Sequence, residues 1–163
     1  MSEIATMKRR VFVARLAGVA ALGLTGRRLW AELPAFAPEP TPITVYKSSS
    51  CGCCTKWVDH IRASGFAPTV HDEEEMDNLK DMLGIPAGVR SCHTALVEKY
   101  FIEGHVPAAD IRRLLAERPR AAGLAVPDMP PLTPGMAPAG VEPRDFEVVA
   151  FQSDGSTRVF ARH

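Results

Sequence analysis

Residues 43–64 read ITVYKSSSCGCCTKWVDHIRAS, and this stretch sets the expected fold. Its first part, 43–46, is an alternating and β-rich run, which predicts a strand. The three serines at 48–50 supply side chains that favour the start of a helix. A helix is then predicted over about 53–64, because its apolar residues share one face. The sequence therefore places a cysteine-rich turn between a strand and the N-terminus of a helix.

The remaining elements follow in a regular order. The pattern predicts a strand at 68–71, a helix from 73–75 to Gly84, strands at 94–97 and 100–102, a helix between Pro107 and Pro119, a loop over 121–143, and a β-hairpin formed by 146–151 and 157–161. The order β-α-β-α-β-β-α, with a cysteine motif after the first strand, is typical of the thioredoxin-like architecture. We therefore expect an α/β domain over 43–163, with a mixed sheet flanked by helices and a C-terminal β-hairpin.

Residues 1–37 have the features of an export signal. Lys8-Arg9-Arg10 precedes an apolar stretch at 16–24 that is too short to span a bilayer but long enough for a signal peptide. The pair Arg9-Arg10 resembles a twin-arginine signal. Cleavage is expected near 31–37, before a proline-rich tether at 38–42. We expect a periplasmic protein without membrane contact after signal removal; an uncleaved basic membrane anchor is the alternative.

The distribution of charge excludes one class of partner. Six of the 19 basic and two of the 19 acidic residues lie in 1–37, so the remainder carries a net charge of −4. Such a mildly acidic body lacks the basic surface that nucleic-acid binding requires. We therefore expect no nucleic-acid partner.

Three of the four cysteines, Cys51, Cys53 and Cys54, lie within four residues and are called the cysteine motif below. Neighbours this close cannot all reach unstrained bridging geometry, so a simple disulfide framework is not expected. At a helix N-terminus the backbone N–H groups and the helix dipole favour thiolates. Since thiolates are soft metal ligands, the motif predicts a site for a soft metal.

The fourth cysteine, Cys92, precedes the third predicted strand. In thioredoxin-like folds the loop at this place carries a cis-proline that faces the N-terminus of the first helix. Here the segment 89–94 occupies that place and has Cys92-His93 instead of proline. We therefore predict that Cys92 and His93 converge on the cysteine motif as further ligands.

Four converging sulfur atoms suit a soft ion. Cu(I) prefers Cys and Met, whereas Zn²⁺ also accepts four cysteines. Met129 and Met136 lie in the proline-rich 121–143 segment rather than at periodic core positions, and we predict them as thioether ligands. The imidazole of His93 suits both oxidation states of copper. Copper, as one ion or several, is the expected metal, and zinc is the less favoured one.

The pattern predicts no ligand role for His60, His105 and His71. His60 follows Cys53 by seven residues, about 10 Å along a helix, so we expect it at the surface or behind the site. His105 precedes the third helix and is expected in a loop or as a cap. His71 lies in a short predicted strand and is assigned no role.

The chain resembles the CopG-like copper-resistance proteins over about residues 43–163. The resemblance rests on Val45-Tyr46-Lys47, Cys51-Gly52-Cys53-Cys54, Trp57 with His60, Gly84-Ile85-Pro86, Ser91-Cys92-His93-Thr94, the run from Tyr100 to Pro107, the run from Gly123 to Pro127 with Met129, and Pro134-Gly135-Met136. It implies a thioredoxin-like fold, a periplasmic location and copper handling with Cu(I)/Cu(II) redox activity. It also implies that the cysteine motif and Cys92 are metal ligands.

The leading hypothesis is a periplasmic copper-binding protein of copper tolerance, which holds Cu(I) and exchanges the ion or electrons with other exported copper-handling proteins. No catalytic residue is assigned in this interpretation. The alternative is a thiol-disulfide oxidoreductase in which Cys51 attacks and Cys54 resolves the mixed disulfide. A zinc-stabilised adaptor is a third interpretation, and it predicts unfolding on chelation.

Overall fold

The computed structural model describes residues 39–163, so the predicted export signal lies outside the described residues. Within that range no helix is both long and apolar enough to cross a membrane. The elements are β1 (Thr41–Lys47), α1 (Gly52–Ala63), β2 (Phe66–Asp72), α2 (Met76–Met82), a 3-10 turn (Ala87–Val89), β3 (His93–Val97), β4 (Tyr100–Glu103), α3 (Ala108–Glu117), β5 (Gly123–Ala125), β6 (Glu147–Phe151) and β7 (Thr157–Arg162).

Seven strands form one mixed sheet in the order β2-β1-β3-β4-β5-β6-β7. β1 pairs in parallel with β2 and antiparallel with β3, and β4 pairs in parallel with β5. The other neighbouring pairs are antiparallel. The predicted α/β class is therefore confirmed, and the C-terminal hairpin β6–β7 extends the main sheet. The order of elements through α3 is the expected one, and the thioredoxin-like assignment stays a prediction.

Helix α1 packs on the sheet through the apolar face that the sequence predicts. Trp57, Val58 and Ile61 are buried, and the indole N–H of Trp57 donates to the backbone oxygen of Val106 at 2.9 Å. Each fully buried aliphatic side chain of this kind contributes about 1.5–3 kcal/mol to folding. This packing fixes the N-terminus of α1, and with it the cysteine motif, against the sheet.

The prediction of a loop over 121–143 is wrong at the start of that range, because Gly123–Ala125 forms strand β5 between β4 and β6. Three residues are too few to show an alternating pattern, and the prolines that follow favour a loop. Gly123 is needed at this position, since a Cβ there would lie 2.0 Å from the backbone oxygen of Phe101.

Strand β1 begins at Thr41, so the last two residues of the predicted 38–42 tether belong to the sheet. The pairing of β1 with β3 starts at Thr44, after Pro42. Among residues 39–163 the only strand beside Pro42 is therefore β2. Proline lacks a backbone N–H, and it is tolerated in a strand where that side of the strand forms no hydrogen bonds with a neighbour.

Candidate metal centre

The cysteine motif lies at the N-terminus of α1, as the sequence predicts. Cys51 is the N-cap residue with an extended backbone, and its N–H donates to the Ser48 backbone oxygen at 3.1 Å. The side chain of Cys54 is buried, whereas Cys51 and Cys53 are half-buried, with their sulfur atoms 3.6 Å apart. The turn therefore presents two accessible sulfur atoms above one buried sulfur atom.

Cys51 and Cys54 form a disulfide bond in the structure. A simple disulfide framework was not expected, and one pair of the motif is bridged, because the first turn of α1 brings the Cα atoms of Cys51 and Cys54 to 5.3 Å, within the usual bridging range. Cys53 and Cys92 are not bridged. Metal binding by all four cysteines therefore requires prior reduction of one disulfide.

The loop before β3 brings Cys92 to the cysteine motif. Strand β3 pairs with β1, and the Lys47–His93 pair ends that ladder next to the start of α1. The sulfur of Cys54 lies 4.0 Å from the backbone oxygen of Cys92. The sulfur atoms of Cys51, Cys53, Cys54 and Cys92, called the sulfur set below, all lie within 4.8 Å of one another. The predicted convergence is present, and the role of these residues as ligands stays a prediction.

A second group of possible ligands shares two of these sulfur atoms. One ligand atom from each of Cys54, Cys92, His93 and His105, called the mixed set below, lies within 4.8 Å of the other three. Nε2 of His105 lies 3.2 Å from the Cys92 sulfur, and its Nδ1 lies 2.6 Å from the backbone oxygen of Pro134. The geometry therefore offers an arrangement of two sulfur and two nitrogen atoms beside the all-sulfur one.

His105 lies in the loop before α3, as expected, and the structure also brings its ring to the site, for which the sequence contained a signal. The predicted turn near residues 98 and 99 sets the antiparallel register of β3 and β4, in which Val97 pairs with Tyr100 and Thr94 with Glu103. Continuing that register by two residues places residue 92 opposite residue 105. The hairpin register therefore identifies His105 as a neighbour of Cys92.

His93 is fully buried beside the sulfur atoms. Its ring packs against Trp57 and His105 at centroid distances of 4.2 and 5.3 Å, and its Nδ1 lies 3.4 Å from the Cys92 sulfur. Its Nε2 is buried without a hydrogen-bond partner among residues 39–163. Burial, followed by the neighbouring His105, Lys80 and Lys47, lowers the pKa of His93 well below its ordinary value. His93 is therefore neutral at physiological pH, the state in which imidazole binds metals.

The protonation of Cys92 also bears on metal binding. Burial, with a smaller contribution from Cys53, raises the pKa of the Cys92 thiol to about 11. The metal-free residue is therefore a thiol at neutral pH. A metal ion that binds Cys92 displaces this proton, so its affinity increases with pH.

The 121–143 segment returns to the site after β5. A Cβ on Gly135 would lie 2.7 Å from the backbone nitrogen of Trp57 and 3.0 Å from the backbone oxygen of Cys53, so this loop lies directly against α1. Met129 is 45% exposed and lines an open cavity of about 370 Å³ with Arg90, Ser91, Cys92 and Asp128. Met136 is half-buried in the same segment. Metal contact by these two methionines stays a prediction.

His60 lies outside both groups of possible ligands. It is partly buried, and its Nε2 accepts a hydrogen bond from the backbone N–H of Ala108, the first residue of α3, at 3.2 Å. This contact joins α1 to the N-terminus of α3. Burial, with the nearby Arg112 charge, lowers the pKa of His60 below its ordinary value of 6.5. The contact requires the neutral ring and is lost when Nε2 is protonated.

We expect His60→Ala to lower the free energy of unfolding by about 1 kcal/mol at pH 7.5, which is typical for the loss of a helix N-cap. Because the folded-state pKa is lowered, this contribution is present above pH 6.5 and is lost as the pH falls below that value. Urea unfolding of wild-type and variant between pH 5 and 8 measures the difference. His71→Ala, on β2, is the control; an equal difference at pH 5 and pH 8 would contradict the assignment.

Comparisons with known proteins agree on one family. The family model described as "Protein of unknown function, DUF411" matches residues 89–136, which include Cys92, His93, His105, Met129 and Met136. Two solved structures, described as copper resistance protein copG in Form 1 and Form 2, are each 42% identical in sequence with a TM-score of 0.69. The matches cover 77% of this chain and 98% and 99% of theirs. No curated protein matches the chain.

Proposed function

Because the chain belongs to the CopG-like copper-resistance family, we propose that it is a periplasmic protein of copper tolerance that binds Cu(I) through its four cysteines. The observation that carries this proposal is the sulfur set, in which four sulfur atoms from two separate segments lie within 4.8 Å of one another. Cu(I) prefers such thiolate ligands. The crowded arrangement also suits more than one ion, because a thiolate sulfur can bridge metals.

The mixed set supports Cu(I)/Cu(II) redox activity. Cys54 and Cys92 belong to both groups of possible ligands, and His93 and His105 add two imidazoles within 4.8 Å of them. Thiolates favour Cu(I), whereas imidazole also suits Cu(II). Cu(I) would be bound by the sulfur set and Cu(II) by the mixed set, and the two shared sulfur atoms would remain ligands in both states. Electron or copper exchange with another exported protein would then take place beside Met129, at the open cavity next to Cys92.

The test is metal loading of the reduced mature chain under anaerobic conditions. We expect it to retain Cu(I) in the presence of a chromophoric Cu(I) chelator and to exchange bound Zn²⁺ for copper. Metal content after gel filtration, together with the metal content and oxidation state of protein purified from copper-stressed cells, measures this. Failure of the reduced chain to retain copper would end the proposal, and retention of zinc alone would favour the zinc-stabilised adaptor.

We expect His105→Ala to raise the Cu(II)/Cu(I) reduction potential of the loaded protein. The substitution removes one imidazole from the mixed set and leaves the sulfur set complete, so Cu(II) loses a donor and Cu(I) keeps its thiolates. Redox titration followed by visible absorption measures the potential. His71→Ala is the matched control, and an unchanged or lowered potential in His105→Ala would contradict the role of the mixed set.

One observation favours the second candidate function, thiol-disulfide exchange. The bridged pair has its N-terminal member, Cys51, half-buried and its second member, Cys54, fully buried. An accessible attacking thiol and a protected resolving thiol are typical of exchange enzymes. Insulin reduction by the copper-free protein, at a rate that copper leaves unchanged, would favour this function. Inhibition by one equivalent of Cu(I) would favour copper binding.

A further inference from the structure

A buried ion pair lies behind the loop that carries Cys92. Lys80 of α2 and Glu103 of β4 are 2% and 0% exposed, and their Nζ and Oε2 atoms are 2.7 Å apart. Lys80 Nζ also donates to the hydroxyl of Thr94 at 2.7 Å, and that hydroxyl donates to the Glu103 carboxylate. The charges are therefore compensated and hydrogen-bonded away from water.

Such a pair is a weak source of stability. Removing two charges from water costs about as much as their attraction returns, and well-packed apolar side chains in their place are often equally stable or more so. In this protein the pair fixes the position of the Glu103 carboxylate in the core.

The carboxylate of Glu103 holds the backbone next to Cys92. Its Oε2 accepts a hydrogen bond from the backbone N–H of Ser91 at 3.0 Å. On the other side of Cys92, the N–H of Gly104 donates to the backbone oxygen of His93 at 3.0 Å. Cys92 therefore lies between two anchored neighbours, and both anchors come from consecutive residues at the end of β4.

The close approach of these two segments depends on Gly104. It has a positive φ of 70°, and a Cβ on it would lie 2.3 Å from the Ser91 hydroxyl. The next residue, His105, contacts the Cys92 sulfur at 3.2 Å. Residues 103–105 thus contact residues 91–93 through Glu103 with Ser91, Gly104 with His93, and His105 with Cys92. Glu103 is the member of this group that has a buried counter-charge.

We infer that Glu103 is a positioning residue for Cys92, and that Lys80 is the buried partner that holds the Glu103 carboxylate in place. The inference rests on the proposed function in so far as Cys92 is a copper ligand. Groups that orient a metal ligand typically affect metal affinity 10- to 100-fold when they are removed, without contacting the metal. The hydrogen-bond acceptor at residue 103, rather than the charge itself, is what reaches the ligand loop.

A matched pair of double variants separates the acceptor from the charge. Lys80→Met with Glu103→Gln removes both charges and keeps an oxygen acceptor for the Ser91 N–H. Lys80→Met with Glu103→Leu removes the acceptor as well. We expect the first to bind Cu(I) within about threefold of wild type and the second roughly 10- to 100-fold more weakly, as measured by chelator competition. Tyr100→Phe, which removes a hydrogen bond to the Pro119 backbone oxygen at the other end of β4, controls for general destabilisation.

A second measurement needs no copper. In the oxidised Cys53→Ser background, Cys92 is the only free thiol among residues 39–163, so its alkylation rate reports how firmly its loop is held. We expect alkylation to be several-fold faster in the Leu variant than in the Gln variant.

Equal copper affinities and equal alkylation rates in the two double variants would overturn the inference. So would a 10-fold or larger loss of affinity in the Gln variant, which tests the inference even when the Leu variant fails to fold. If the wild-type protein does not bind copper, the proposed function fails, and the alkylation rates still decide whether Glu103 positions Cys92.

Discussion

Cys92→Ala is expected to cause the largest loss of copper affinity of any single substitution outside the cysteine motif. Cys92 belongs to both the sulfur set and the mixed set, so its removal leaves each with three members. It is also the one sulfur contributed by the second segment of chain. The loss should exceed the 10- to 100-fold effect typical of residues that only orient a ligand.

Chelator competition on the reduced protein measures this loss. His71→Ala is the control, because His71 is exposed on β2 and belongs to neither ligand group. Cys92→Ala keeps Cys51 and Cys54, so it should still form their disulfide on oxidation. A Cys92→Ala protein that binds Cu(I) as tightly as wild type would show that the cysteine motif alone is the site.

Closing the Cys51–Cys54 disulfide is expected to abolish tight Cu(I) binding. The bond removes two of the four thiolates of the sulfur set and leaves only Cys53 and Cys92 unbridged. Reduction, with two electrons and two protons taken from a phosphine reductant and water, converts the bond into two thiols. We therefore expect the oxidised protein to lose Cu(I) to a chelator from which the reduced protein retains it.

Cys51→Ser provides the control for this effect. This variant cannot close the Cys51–Cys54 bridge, so its weaker copper affinity should be the same before and after oxidant treatment in the fraction whose three remaining thiols stay free by thiol titration. Copper retention is measured for wild type and Cys51→Ser, each in the oxidised and in the reduced state. Equal retention by oxidised and reduced wild-type protein would mean that the bridged cysteines take no part in binding.

The sequence predicted most of the fold because the pattern along 43–117 is locally clear. The apolar face of α1, the turn at 98 and 99, and the glycine and proline residues that end the helices each specify an element without distant information. The local pattern does not indicate strand β5, because Gly123–Ala125 is a strand through its position between β4 and β6. Pairing with the two neighbouring strands makes this segment a strand even though its composition is typical of a loop.

The candidate site was predicted in part for a similar reason. The meeting of Cys92 with the cysteine motif follows from the expected order of elements, and the structure has the same juxtaposition. The position of His105 before α3 does not by itself indicate a place at the site, whereas the β3–β4 register places it opposite Cys92. The Lys80–Glu103 pair gave no sequence signal, since a lysine on a short helix is ordinarily exposed.

In the proposed function, sulfur atoms from two distant segments bind one copper centre. X-ray absorption at the copper edge, on the reduced wild-type protein and on Cys92→Ala loaded with Cu(I), tests it most directly. We expect the wild-type copper to be surrounded mainly by sulfur and the variant to lose sulfur neighbours or copper itself. A wild-type spectrum with only nitrogen and oxygen neighbours, or one that Cys92→Ala leaves unchanged at full copper content, would contradict the claim.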